Sequence, residues 1–311
     1  MKKSEFGFIG DIAAMFGALP HHGFEPIGDD CTVLPMGDEA LVMTTDMLVE
    51  DIHFLRGASS PEEVGEKSLM VNISDVAAMG AKPIATLLSI ALPESAQGEW
   101  AERFMRGYYE ASEREGVALV GGDTTASRDK VCINVVAIGR APKSNIKRRS
   151  AAKVGDLICV TGKLGASSKG LVDIMFGDLN TAAAKIHRRA QARIEEGKLL
   201  GACEAVHAMM DVSDGIASDI KHIMEQSAVG AEIELSKVPT DYDIRFATTG
   251  GEDYELLMTV DPARFDEVAE ALRSATGTEL TAIGRIVEGS ELQWLDNGAP
   301  AEIELKGFTH F

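Results

Sequence analysis

Short acidic motifs punctuate most of this chain, and nearly all of them fall where an apolar run ends or a turn begins. They are Gly28-Asp29-Asp30, Thr44-Thr45-Asp46, Asn72-Ile73-Ser74-Asp75, Gly121-Gly122-Asp123, Asp211-Val212-Ser213-Asp214 with Asp219 just beyond, and Gly251-Glu252-Asp253. Any fold for this sequence has to seat carboxylates at many strand and helix ends at once. Carboxylates so placed are how proteins collect hard cations, and phosphate-bearing ligands are the usual reason to collect them.

The alternation between the motifs is that of an α/β chain. Ala40–Thr45, Ile84–Leu92, Val131–Ile138, Leu157–Thr161, Ala231–Leu235, Tyr254–Val260 and Thr281–Ile286 read as strands, and Val117–Val120 as a short strand ending at a Gly121-Gly122 turn. Ser60–Met79 reads as a helix, opened by Ser60-Pro61-Glu62-Glu63 and stopped by Gly80 and Pro83. Glu99–Glu115, Ser167–Phe176, Ala190–Met209, Ile216–Ser227 and Pro262–Thr276 are the other expected helices. The stretch Arg140–Gly155 is polar, basic and poor in core residues, so it reads as an interdomain connection. The 311 residues then divide into domains 1–148 and 149–311.

Charge narrows the partners. There are 49 acidic and 30 basic residues, a formal net charge of -19, which disfavours nucleic acid and anionic membranes as partners. Cys31, Cys132, Cys159 and Cys203 form no C-x-x-C pair, so neither a disulfide framework nor a zinc site is implied. The N-terminus lacks the apolar stretch of a signal peptide, and the longest apolar run is too short to span a bilayer. The expectation is a cytoplasmic protein.

Each motif has a plain reading beside its chemical one. Gly and Asp favour turns for backbone reasons, so Gly28-Asp29-Asp30 alone is weak. Thr44-Thr45-Asp46 ends an apolar strand, where α/β proteins favour ligands, and the threonines can add oxygen ligands to Asp46. His53 follows nearby in an acidic loop. Asn72 and Asp75 share a helix face among apolar neighbours, as either a solvated face or a buried polar one. Paired glycines before Asp123 let a backbone approach a phosphate closely, or simply make a tight turn. Ser213 or Asp214 is an adequate N-cap for the following helix, which leaves Asp211 and Asp219 unexplained. Glu252, Asp253 and Glu255 surround Tyr254 at the head of an apolar strand, more acid than capping requires. Thr161–Gly170 is rich in Gly and Ser but lacks Walker A spacing, and no G-x-G-x-x-G occurs.

Taken in order, the motifs resemble the thiamine-monophosphate kinase family, within the superfamily of aminoimidazole-ribonucleotide synthetase. The most distinctive stretches are Asn72–Pro83, Gly121–Thr125 and Gly251–Leu256, and the resemblance runs from Glu5-Phe6 to Gly307-Phe308-Thr309-His310-Phe311. It implies an α/β fold of the α+β type: an N-terminal sheet domain that dimerises, a C-terminal α/β domain, and an ATP site between them. It implies ATP-dependent phosphorylation of thiamine monophosphate to thiamine diphosphate, the last step of that cofactor's synthesis, in a homodimer. Several magnesium ions and ATP as co-substrate come with it, and a monovalent cation is a further candidate.

By motif match, Asp30, Thr44, Thr45, Asp46, Asp75, Asp123, Asp211 and Asp214 ligate magnesium, with Asp46, Asp75 and Asp123 the catalytic set. Gly122, Asp123, Arg149 and Ser213 contact ATP, and His53, Glu252 and Phe308 contact the thiamine moiety. Two features depart from the family pattern: the run Arg189-Ala190-Gln191-Ala192-Arg193 lacks prolines, and the stretch from Val238-Pro239 to Gly250 is short. Arg148 and Arg149 are adjacent, so either can be the phosphate contact. Other readings are a related ATP-using synthetase of the same superfamily and a non-catalytic nucleotide- or metal-binding regulator.

Overall fold

The helix at Pro61–Ala78 shows how this sequence marks its own boundaries. Ser60 accepts from Glu63 N while the Glu63 carboxylate accepts from Ser60 N, a reciprocal capping box that satisfies two otherwise orphaned donors. The computed structural model describes residues 4–301, 303 and 305–308, so Thr309, His310 and Phe311 of the C-terminal motif lie outside it.

The first half runs α1 (Glu5–Phe16), β1 (Thr32–Met36), β2 (Glu39–Val49), α2 (Pro61–Ala78), β3 (Lys82–Leu92), α3 (Glu99–Glu115), β4 (Ala118–Ala126) and β5 (Cys132–Pro142). Its five strands are ordered β1-β2-β5-β3-β4. Helices α2 and α3 cross closely because Gly65 and Gly107 lack side chains: a Cβ at either would sit 2.1 Å from a carbonyl oxygen of the other helix. Val33, Val42, Ile73, Val76, Phe104, Ile133 and Val135 are among the residues of the core between them and the sheet.

The second half runs β6 (Leu157–Thr161), α4 (Ala166–Met175), α5 (Ala182–Arg188), α6 (Ile194–Gly201), β7 (Val206–Asp211), α7 (Ile216–Ser227), β8 (Gly230–Glu234), α8 (Ile244–Thr249), β9 (Leu256–Val260), α9 (Phe265–Thr276), β10 (Leu280–Val287), β11 (Leu292–Asp296) and β12 (Ala299–Pro300). Its seven strands are ordered β12-β11-β8-β10-β6-β9-β7. This sheet is buried on both faces: Ile158, Val160 and Leu257 pack with Ile216, Ile220 and Ile223 of α7, while Cys159 and Met258 pack with Leu200, Val268 and Leu272. Two short 3-10 turns, Lys143–Asn145 and Arg149–Ala151, carry the chain between the sheets, and the second is tied to α7 through Ser227 Oγ.

Two expected elements are corrected. Ala190–Met209 is not one helix: α6 ends at Gly201, and Val206–Asp211 is a strand paired with β9. That strand is buried on both faces, so it shows no alternation, and its Ala and Met residues follow helical propensity until β9 pairs with them. Nor does Gly121-Gly122 end β4 in a turn. The strand runs on to Ala126, parallel to β3, with Gly122 opposite Leu88. Gly122 sits at φ +151, where a Cβ would lie 1.8 Å from Leu88 O. The four cysteines are unpaired, and among the described residues no helix is long and apolar enough to cross a membrane.

Candidate active site

Helix α2 is packed on both sides, against the first sheet and against α6 and β7, so its polar positions are not a solvated face. Asn72 and Ser74 are 0% exposed. Asn72 holds the end of β2 in place: its Oδ1 accepts from Asp46 N at 2.8 Å, and its Nδ2 donates to Ser68 O. Thr44 Oγ1 donates to Asp75 Oδ2 at 2.6 Å. Ser74 donates to Asp211 Oδ2, joining the helix to the carboxyl end of β7 across 137 positions of sequence.

These contacts bring Asp75 and Asp211 together, and Asp30 completes the group from the loop before β1. One carboxylate oxygen from each of the three lies within 4.8 Å of the others. Among the described residues the cation against this group is one guanidinium, Arg149, whose Nη2 donates to Asp30 Oδ1 at 2.6 Å. It is Arg149 that reaches the acidic group, since Arg148 turns away to a two-pronged contact with Glu25.

One arginine is too little for so much buried negative charge. Burial, then the charges of Asp46, Asp211 and Asp30, hold the Asp75 carboxyl well above the usual range. Asp211 is pushed up to about 8 by burial and Asp30, and Asp46 to about 6 by the same causes. Asp30 Oδ2 is buried and has no hydrogen-bond partner among the described residues. A hard divalent cation fits this donor set: oxygen ligands, excess negative charge, and one buried oxygen left unsatisfied.

Two predicted ligands do not join the group within one chain. Strand alternation puts Thr45 on the sheet face opposite α2, where its Oγ1 accepts from Asn134 Nδ2 at 2.8 Å. Asp123 lies on β4 in the register row Met47–Asn134–Ser89–Asp123, three strands from β2, which is about 14 Å at ordinary strand spacing. All nine residues of β4 are exposed, Gly122 among them.

Beside the acidic group opens a cavity of ≈ 500 Å³. Asp46, Asp75, Ser213, Asp214 and Glu252 supply its polar wall, with Ile52, Val71, Leu171 and Phe308 among its apolar residues. His53 stands in this wall with its Nδ1 accepting from Val49 N at 3.0 Å. Phe308 N donates to Asp214 O, which seats the C-terminal segment over the start of α7. Ser213, Asp214, His53, Glu252 and Phe308 are thus gathered around one space, although they come from both halves of the chain.

Glu252 is held by groups the sequence reading did not single out. Lys67 of α2, 2% exposed, lies 2.9 Å from one carboxylate oxygen and donates to the other at 3.0 Å. His187 Nδ1 lies 3.3 Å from the same carboxylate. Burial, then Lys67, holds His187 down at about 4, so it is neutral at ordinary pH. Burial works to raise Glu252, but the Lys67 ammonium outweighs it and leaves the carboxyl below its usual range. A lysine two residues before the apolar run Leu69-Met70-Val71 was the available signal for Lys67; nothing local marks His187.

The leftover acids have structural work. Asp253 accepts from Gly165 N and Ser167 N at the start of α4. Glu255 binds Thr161 and Arg193, so the arginine in the proline-free run serves the second sheet. Asp29 accepts from Arg149 N, Asp51 pairs with Lys130, and Asp219 Oδ2 accepts from Asp214 N at 3.3 Å.

Comparison with known proteins matches this architecture. The pattern of the AIR synthase related protein N-terminal domain covers residues 28–141, and that of the C-terminal domain covers 153–295. The chain is 35% identical to a thiamine-monophosphate kinase of Haemophilus influenzae, over 92% of this chain and 91% of the relative. It is 33% identical to one of Bacillus subtilis, over 97% and 93%. A solved structure described as AaThiL complexed with AMPPCP and TMP superposes with a TM-score of 0.86 at 32% identity, covering 100% of this chain and 99% of that one.

Proposed function

The chain belongs to the thiamine-monophosphate kinase family of AIR synthase related proteins, and from that premise we propose that its cleft performs one direct phosphoryl transfer. The terminal phosphoryl group of ATP passes in line to a phosphate oxygen of thiamine monophosphate, giving thiamine diphosphate and ADP. The relative complexed with AMPPCP and TMP supports both substrates, because AMPPCP is ATP with its terminal bridging oxygen replaced by carbon.

The carrying observation is the charge of the cavity. Its lining includes Glu5, Asp46, Asp75, Asp214 and Glu252, and among the described residues no lysine or arginine. Such a wall repels two phosphate-bearing substrates unless cations come with them. Asp30, Asp46, Asp75, Asp211 and Asp214, with Thr44, are the residues that would hold magnesium. Bound there, several magnesium ions would offset the phosphate charge and the charge that shifts in the transition state.

The side chains do the rest by placement. The acceptor oxygen is already anionic, so the transfer needs no general base. Arg149 and Ser213 face the ATP phosphates. Glu252, His53 and Phe308 face the thiamine moiety, whose cationic ring suits an ionised carboxylate. Ile52, Val71, Leu171 and Phe308 give the cavity an apolar wall for the organic moiety.

Asp123, Gly122 and Thr45 acquire their roles in a homodimer. Leu41, Met43, Met47, Val136, Ile138 and Leu87 alternate onto the same uncovered sheet face as Thr45 and Asp123. A second copy packed on that face buries an apolar surface, closes the open β4 edge, and brings its own Gly122-Asp123 to the first copy's acids. Residues 1–148 then form the dimerising domain and 149–311 the C-terminal domain, with ATP between them.

An assay of ADP release with thiamine monophosphate, ATP and magnesium tests the reading. Turnover of a different small molecule instead would indicate a sister synthetase, and binding without turnover a regulator. ATP made chiral at its terminal phosphorus tests the in-line step: one transfer inverts configuration, whereas retention requires a phosphoenzyme and sinks the direct route.

A further inference from the structure

Lys67 is a buried lysine held from both halves of the chain. Its ammonium meets His53 O at 3.0 Å and both Glu252 oxygens at 2.9 and 3.0 Å. Two of its N–H groups are hydrogen-bonded, to His53 O and Glu252 Oε2, and the close Oε1 of Glu252 holds the charge beside that carboxylate. A charge this deep is costly unless paired, and no packing need calls for a lysine at this point of α2.

Its place on the helix is informative. Lys67, Val71 and Asp75 stand at successive i, i+4 positions and so share one face. Val71 and Asp75 both line the cavity. At the helical rise, Lys67 and Asp75 are about 12 Å apart along the axis. Asp75 marks the phosphate end of the cleft, and Lys67 supports the wall at the other end.

The backbone under Glu252 is constrained but leaves the carboxylate direction to its partners. Glu252 and Tyr254 adopt φ +64 and +52, sparsely populated conformations for residues with side chains. Glu252 N donates to Ser213 O at 2.8 Å, and a Cβ on Gly251 would lie 2.3 Å from the same oxygen. Beyond that anchored turn, the side chain is aimed by Lys67, with His187 alongside and itself 3.0 Å from Ser167 Oγ.

We propose that Lys67 is a positioning residue for substrate specificity: its ammonium clamps Glu252 of the C-terminal half to the His53 loop of the N-terminal half, presenting the carboxylate to the cationic ring of the substrate. The inference rests on the thiamine-phosphate reading of the same cavity. It makes recognition of the organic moiety depend on docking of the two halves, because the clamp spans 185 positions of sequence. Lys67 acts through Glu252 and touches no reacting atom.

Steady-state kinetics of Lys67→Met, Lys67→Arg, Glu252→Gln and the Lys67→Met/Glu252→Gln pair test it. Lys67→Met should raise KM for thiamine monophosphate about tenfold while KM for ATP and kcat move less than about threefold. Lys67→Arg should recover most of that loss. In the Glu252→Gln background, Lys67→Met should add almost nothing, since its target is already gone. The double variant carries no unpaired buried charge, so it remains measurable if Lys67→Met alone folds poorly. Equal rises in both KM values, or an undiminished effect in the Glu252→Gln background, would overturn the clamp. A wild-type protein that releases no ADP with thiamine monophosphate would instead overturn the functional reading beneath it.

Discussion

Two acidic regions face the same cleft, and they solve burial in opposite ways. Around Asp30, Asp46, Asp75 and Asp211 the carboxylates outnumber the guanidinium of Arg149 among the described residues, and the proton affinities of Asp46, Asp75 and Asp211 rise. Around Glu252 the chain supplies its own ammonium, and the proton affinity falls. Charge satisfied from within is a fixed recognition element. Charge left unsatisfied is an invitation to a cation from outside. On the function proposed above, the pair would divide the cleft into a metal–phosphate end and an organic-ring end, both bridging the halves of the chain through α2.

The strongest way to break this division is to remove one unsatisfied acid. Asp75→Asn or Asp211→Asn should lower kcat/KM by about 10²–10³-fold, the usual cost of a lost electrostatic contact in a transition state. The metal-free fold should meanwhile keep or gain thermal stability, because like charges are relieved. Near-normal turnover at limiting magnesium would end the assignment.

Mixing subunits asks whether the metal end is complete in one chain. Asp75→Asn and Asp123→Asn enzymes should each be severely impaired as homodimers. Mixed and allowed to exchange, they should recover about a quarter of wild-type activity, since half of each randomly formed heterodimer has an intact site if Asp123 is supplied by the other copy. No recovery would place Asp123 with its own chain's acids or outside the site.

The pH dependence of stability follows from the direction of the shifts. Asp46 and Asp211 bind protons more tightly when folded, at about 6 and about 8. Their contribution to stability is full below the ordinary carboxylate pKa and is lost as pH rises through those values. Melting of metal-free protein should therefore fall between pH 5 and pH 8 by several degrees, and magnesium should reverse the loss at pH 8 far more than at pH 5. Glu252 has the opposite sign: its contribution is lost only as acid protonates it below its usual range.

The smallest effect marks the boundary of the cluster. Burial and the neighbouring Asp214 and Asp211 charges hold Asp219 well above the usual range. Asp219→Asn keeps its shape and can still accept from Asp214 N, and kcat should change less than about twofold. A loss as large as that of Asp211→Asn would enlarge the metal site to include it.

Legibility followed the range of the interaction. Helix α2 declares itself through Ser60, Pro61 and Glu63, and α3 stops at Gly116 because that residue takes a left-handed cap. Those signals act within a few residues, so they can be read in order. β7 was misread because its register with β9 lies some fifty positions away, and two-sided burial erases the alternation that would have shown it. The acids were legible as residue types at strand and helix ends. Which of them meet was not, as Thr45 and Asp123 show by facing away from Asp75 on the same sheet.

By itself the sequence determined the inventory: an α/β alternation, a surplus of carboxylates, and the caps that place them at the ends of elements. Only the tertiary structure decided their chemistry. A carboxylate's charge depends on how deeply it is buried and what stands within a few ångströms, and here those neighbours come from the other half of the chain. Asp75 became a ligand candidate when Asp211 closed on it, and Glu252 a fixed anion when Lys67 reached across.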